Sequence, residues 1–189
     1  MAKLLTSSIT LTFGRVQASL ALPSLYRVIH LFSYSLWTFK NLDMSLPRGI
    51  RNNNPLNIRR SKDQWKGMAE AQSDRAFVQF KSLEWGWRAA FYMLTRTYYH
   101  KYRLYTIRTI INRWAPPNEN NSKAYVENVS RLTGIDPDES LGIPSERPSR
   151  WIALGTAMAI QENGTESLDY FAMLRGWDLC RQDAQSGKL

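Results

Sequence analysis

Apolar side chains recur at helical spacing through most of the chain beyond residue 80. Trp87, Phe91, Leu94 and Tyr98 are four, three and four residues apart, one face of a helix over residues 83–99 that Ser82 is placed to cap. Ile107, Ile110, Ile111 and Trp114 repeat the i, i+3, i+4, i+7 stripe, with Thr106 opening a short helix and Pro116-Pro117 closing it. A third helix, residues 122–133, turns Tyr125, Val129 and Leu132 inward and stops at Gly134. Residues 148–162 differ in character: from 151 to 160 no side chain is charged on any face, the pattern of a helix buried all round. A fifth helix is expected over residues 166–174, ended by Arg175-Gly176, with a polar, frayed tail after Cys180. Strand character is confined to Ala76-Phe77-Val78-Gln79-Phe80, which with the turn Gln64-Trp65-Lys66-Gly67 predicts one small β-hairpin between about residues 57 and 80. The domain so read is mainly α, about five helices and one small β element, with no internal repeat.

Before that ribbon stands Arg48-Gly49-Ile50-Arg51-Asn52-Asn53-Asn54-Pro55-Leu56-Asn57-Ile58-Arg59. Three asparagines and a proline suit neither a helix interior nor a central strand, and Asn tolerates left-handed backbone, so the run is a shaped loop. Two readings stand side by side. Asn52, Asn53, Asn54 and Asn57 offer amides to a ligand rich in hydroxyl and amide groups, as a glycan is. Alternatively the same side chains satisfy their own backbone in a structural turn.

Charge divides the chain. Before Asp43 there is no acid, only Lys3, Arg15, Arg27 and Lys40; from Met44 onward acids and bases interleave. Residues 1–43 therefore read as an extension: a targeting segment, a membrane-associating arm, or translation from an upstream start. Arg15, Pro23, Arg27 and His30 interrupt every apolar window long enough to span a bilayer. Thr6, Ser7, Ser8 and Thr10 break the apolar block that a secretory signal needs. A helix over residues 20–39 lying on a membrane surface is the remaining membrane reading, and membrane contact is expected only through residues 1–43. The working domain is expected over residues 44–180, followed by a polar tail, 181–189.

The formal net charge of +9 favours an acidic partner: nucleic acid, a membrane surface or an anionic wall polymer. One cysteine excludes an intramolecular disulfide, and two histidines without a cysteine cluster argue against a zinc site. No phosphate-cradling glycine loop is present, so no metal and no cofactor is expected. Arg96-Thr-Tyr-Tyr-His-Lys-Tyr-Arg-Leu-Tyr105 mixes bases with aromatics, a pattern for stacking on single-stranded nucleic acid or for an ordinary basic helix end. No basic, acid-free block lies inside the domain, which counts against nucleic acid.

One carboxylate stands out. Glu162 ends the helix without charges and is followed by Gly164, which lets the chain turn away. Desolvation and the negative end of the helix both favour a protonated acid there, the state needed to protonate a glycosidic oxygen. A solvated helix-end residue is the alternative. Asp63 and Asp74 flank the Trp65 turn as candidate second carboxylates or as solvated turn residues. Trp65 and Tyr125 are candidate platforms for sugar faces, or core.

The run 48–59, Trp65-Lys-Gly67, Phe77-Val-Gln-Phe80, residues 107–118, Tyr125 and Glu162-Asn-Gly164 together resemble a family of phage and prophage proteins described as virion structural proteins with a lysozyme-like domain. The resemblance covers about residues 46–165. A looser similarity links Asn54-Pro-Leu-Asn-Ile58 and the Trp65 turn to the ribbon of flagellar-type glucosaminidases, whose catalytic Glu precedes the ribbon. Here Glu70 is the first glutamate, and the Glu at a helix end lies at 162. The resemblance thus implies a lysozyme-like α+β fold with its elements in permuted order. It implies cleavage of peptidoglycan glycan strands with Glu162 as general acid, of muramidase, glucosaminidase or lytic transglycosylase type. Asn52, Asn53, Asn54, Asn57, Trp65 and Tyr125 would line the substrate site. It also implies a place in a phage particle or the bacterial envelope, with other virion proteins as partners. The rival expectations are a non-catalytic virion or wall-binding protein of the same shape, and a nucleic-acid-binding protein.

Overall fold

The computed structural model describes residues 8–13, 16–21, 46–116 and 121–186, and the chain divides into two compact units, Met1–Leu46 and Pro47–Leu189. In the first unit β1 (Ser8–Phe13) pairs antiparallel with β2 (Val16–Ala21), Ser8 opposite Ala21 and Phe13 opposite Val16. The β-branched and aromatic content of Ile9-Thr10-Leu11-Thr12-Phe13 suits a strand. Leu20 and Ala21 belong to β2, and the rest of the surface helix expected over 20–39 lies outside the described residues.

The second unit is mainly helical. Among its described residues are six α-helices, α1 (Arg48–Arg51), α2 (Leu83–Tyr92), α3 (Ile107–Trp114), α4 (Ser122–Thr133), α5 (Pro148–Asn163) and α6 (Tyr170–Gln185). The apolar faces expected from spacing are the faces that pack: Trp87, Phe91, Leu94, Ile107, Ile110, Ile111, Val129, Trp151, Leu154 and Met158 form one buried cluster. The ends follow local chemistry. Thr106 caps α3 in a reciprocal capping box with Thr109, and Gly134 and Gly164 close α4 and α5 in left-handed conformation.

Four expectations are corrected. The helix expected over 83–99 changes pitch at Met93, and residues Met93–Lys101 form a π-helical continuation of α2. The expected hairpin between 57 and 80 is reduced to two isolated antiparallel bridges, Arg59 with Phe77 and Met68 with Phe80. Side chains take main-chain groups that a ladder would use: Asn54 Nδ2 donates to the Val78 carbonyl at 2.8 Å, and Gln72 Oε1 accepts from the Gln79 N–H at 2.9 Å. Within the Asn-rich loop, residues 48–51 form a single helical turn, making six helices where five were expected.

The last helix begins later and runs further than expected, with Asp169 as its N-cap accepting from the Ala172 N–H at 2.9 Å. Gly176 does not stop it. It is buried where α6 crosses α2: a Cβ at that position would collide with the Trp87 Cβ and lie 2.9 Å from the Arg88 nitrogen. Past Cys180 the chain stays helical to Gln185, and Asp183 pairs there with the buried Arg88 and with Lys66.

Candidate functional site

Helix α5 carries no charge from 151 to 160 but is not buried all round as expected: Trp151, Leu154, Gly155, Ala157, Met158 and Ala159 are buried, Ile152, Ala153, Thr156 and Ile160 only partly, and its last turn emerges at the edge of the core. Glu162 stands there, half-buried. Three donors from three other elements meet its carboxyl group. Trp114, at the end of α3, donates its indole Nε1–H to Oε1 at 2.9 Å. Tyr125, on α4, donates its hydroxyl to the same oxygen at 3.0 Å. Asn57 donates Nδ2–H to Oε2 at 3.1 Å. Burial holds the Tyr125 phenol well above its ordinary value, and the charge of Glu162 adds to that shift, so Tyr125 keeps its proton and acts as a donor.

The loop is shaped by its backbone and tied to the end of α5 by side-chain hydrogen bonds. Asn53 and Asn57 both adopt left-handed φ of 51°, which Asn tolerates better than other side chains. Asn163 donates from Nδ2 to the carbonyls of Pro55 and Ala159, each at 2.8 Å, tying the loop to the helix that carries Glu162. Gly49 lies against the Asn57 and Asn163 Oδ1 atoms, closely enough that a Cβ would collide with Asn163 and sit 2.9 Å from Asn57. Those two oxygens are buried without a conventional donor among the described residues. The Cα–H of Gly49 faces them as a weak one.

Glu162 opens into a cleft of about 360 Å³. Asn57, Asp63, Trp65 and Glu162, four of the residues singled out in the sequence, line it together. Trp65 packs edge-on to Tyr92, ring centroids 6.1 Å apart, and its Nε1 is buried without an acceptor among the described residues. Asp63 is exposed at the rim, where it accepts from the Ser61 hydroxyl at 2.8 Å.

The remaining candidates serve the loop. Asn54 is fully buried and spends its amide on the Ile58 N–H and on the carbonyls of Ile58 and Val78. Asn53 donates to the Phe80 carbonyl at 3.1 Å. Asn52, also buried, donates to Asp74 at 2.8 Å. Asp74 accepts both 2.7 Å bonds of the Arg48 fork and the N–H groups of Ala76 and Phe77. The Arg48 guanidinium, followed by Asn52 and these amides, holds its carboxyl well below the usual range against the opposing effect of burial. None of Asn52, Asn53, Asn54, Asp74 and Tyr125 lines the Glu162 cleft, and Tyr125 serves it through the hydrogen bond of its hydroxyl to Glu162.

The chain is 39% identical over 134 residues to Protein P5 of Pseudoalteromonas phage PM2, an alignment that covers 69% of this chain and 80% of that one. The chain belongs to the family of this phage protein. No model of a protein family matches it.

In this member of the Protein P5 family the cleft holds residues that the sequence pattern assigned elsewhere. Trp114 counted only as the last apolar member of the α3 stripe, yet its N–H points at Glu162. The usable signal was the residue type: a partly buried indole N–H usually finds an acceptor, as Trp114 does, although Trp65 and Trp87 have none among the described residues. Tyr98, Met93, Phe77 and Arg59 also line the cleft. Tyr98 and Met93 arrive on the π-helical segment, whose wider turn spacing cannot be counted from an α-helical wheel. Among the described residues no cluster of three metal-ligating side chains occurs, and no helix is long and apolar enough to cross a membrane.

Proposed function

We propose that this phage-family protein cleaves the glycan strands of peptidoglycan and that Glu162 is its general acid. The observation that carries this reading is the setting of one carboxyl group. Glu162 is delivered by a buried helix to an aromatic-walled cleft and oriented by Trp114, Tyr125 and Asn57. A lysozyme-like arrangement in permuted order would put the loop wall before the acid in sequence, with Asn57 beside Glu162 and Trp65 in the same cleft. Aromatic faces suit the apolar faces of sugar rings, and the net positive charge favours approach to an anionic wall.

Asn57 suits both states of the acid. To the carboxylate its NH₂ donates; turned over, its carbonyl accepts from the O–H of the protonated form. Proton delivery from Oε2 to a glycosidic oxygen then leaves Oε1 held by Trp114 and Tyr125. Asp74 is committed to Arg48 and the turn, so the second carboxylate of a double displacement would have to be Asp63. A positioned water or a substrate group in its place gives the lytic transglycosylase or single-glutamate route.

A second reading rests on one observation: all three groups that meet Glu162 donate to it, as they would to a permanent carboxylate. In that reading the cleft binds wall glycan, or serves the particle as a structural contact, and Glu162 accepts a sugar hydroxyl without catalysis. Mass spectrometry of muropeptides after incubation with purified sacculi separates the two. New reducing ends or anhydro-sugars are expected. Sacculi that bind the protein yet release nothing would leave the non-catalytic reading standing and remove the enzymatic one.

A further inference from the structure

A second cavity, about 470 Å³, has no residue in common with the Glu162 cleft. It lies between the π-helical segment, the stretch around Pro144 and Pro148, and the C-terminal half of α6. Its walls are mainly apolar, and Pro144, Pro148 and Trp177 are among the residues that line it. Arg96 and Arg181 also line it, and among the described residues it has no acidic lining residue.

The charges are not matched from within. Arg96 forms no ion pair among the described residues. Arg181 pairs at 3.1 Å with Asp178 one turn away, and both side chains are more than half exposed, so the pair is weak and readily exchanged. His100, also in the lining, sits below its ordinary value through burial and then the Arg96 charge.

We propose that this cavity binds a monomeric anionic amphiphile, its apolar body among Pro144, Pro148 and Trp177 and its single anionic head at Arg96 and Arg181. The volume is within the range of small-molecule sites, about 300–1,000 Å³. Apolar walls with two cations at one site select against neutral polar ligands and against cations of equal length. The occupant is a free molecule with one charged end, of the fatty-acid type, rather than a bilayer surface.

The full-length protein is titrated calorimetrically with dodecanoate below its micellar range, and in parallel with dodecyltrimethylammonium and with vesicles of phosphatidylglycerol. Cys180, the only cysteine, is buried in the cavity wall, so its slow alkylation by a small maleimide reports opening of that wall, which an occupant suppresses. Saturable dodecanoate binding that slows Cys180 alkylation is expected. Arg96→Gln and, on the exposed side, Arg181→Gln each weaken it by about tenfold or more, the effect of losing a charged hydrogen bond. Equal protection by the cationic amphiphile, or no protection by dodecanoate, would overturn the proposal. Vesicle binding without binding of the monomer would also overturn it, in favour of a membrane surface.

Discussion

The indole N–H of Trp114 donates to Glu162 Oε1 at 2.9 Å, joining the end of one helix to the end of another 48 residues away. This bond and the Tyr125 hydroxyl fix one carboxyl oxygen and leave the other to the Asn57 amide, beside the open cleft. The arrangement makes the chemistry of Glu162 separable from its support.

Glu162→Gln is nearly isosteric and keeps an oxygen for Trp114 and Tyr125, so the fold is expected to survive with an unchanged circular dichroism spectrum. It cannot give up a proton. Clearing of purified peptidoglycan in a zymogram should fall by roughly 10²–10⁴-fold, the contribution of a general acid. Undiminished clearing would take Glu162 out of the mechanism.

Trp114→Phe and Tyr125→Phe each delete one donor while keeping an aromatic ring. Glu162 then turns more freely, and turnover is expected to drop by up to about a hundredfold through misplacement of the acid, with KM changed much less. A rise in KM at constant kcat would instead make these rings part of the sugar-binding wall.

Gly176→Ala puts a methyl group where α6 touches the Trp87 Cβ and the Arg88 backbone. Neither neighbour is the free end of a flexible side chain, so the helices must separate. A loss of roughly 1–3 kcal/mol is expected from overpacking, read as a lower urea midpoint. Asp183→Asn acts on the same helix pair by stranding Arg88, whose side chain is 6% exposed, and is expected to cost roughly 3–5 kcal/mol, as when one partner of a buried pair is removed.

Acid should loosen the second unit before it touches the core. Asp74 is held low first by Arg48, and Glu84 is lowered to about 2 by hydrogen bonds from Ser82 and Arg175. At Asp183 burial pushes upward but is outweighed by bonds from Lys66 and Arg88, for a net lowering. The fold therefore prefers all three ionised. Their stabilisation is complete above the unfolded value of about 4 and is lost as pH falls through the folded values, near 2 for Glu84. Urea midpoints should be level in this respect from pH 7 to 5 and fall between pH 4 and 2, with a shallower fall in Asp74→Asn.

How much of this was legible in the chain depended on whether the cause was local. The Ile107–Trp114 stripe, the run without charges before Glu162 and the glycines after α4 and α5 act over one or two helical turns, and their elements are where spacing put them. The Asn-rich loop was readable as a shaped turn, but not which amide faces outward. Asn52, Asn53 and Asn54 turn to partners 22 to 27 residues away or to their own loop, and Asn57 reaches Glu162 across 105 residues. Gly176 was misread as a stop because the helix crossing that requires it involves a residue 89 positions earlier, Trp87. Asp74 looked like a candidate acid because nothing local announces the Arg48 fork.

The π-helical segment Met93–Lys101 has a consequence for how this sequence tolerates change. It lends Met93 and Tyr98 to one cavity and Thr95, Arg96 and His100 to the other. A π turn holds about one residue more than an α turn, so deleting a single residue here would let a turn relax to ordinary pitch and change which of the segment's own residues face each cavity. Substitutions at these positions would alter one wall at a time. A one-residue gap would re-aim both walls together, which makes this the stretch where length is under stricter constraint than identity.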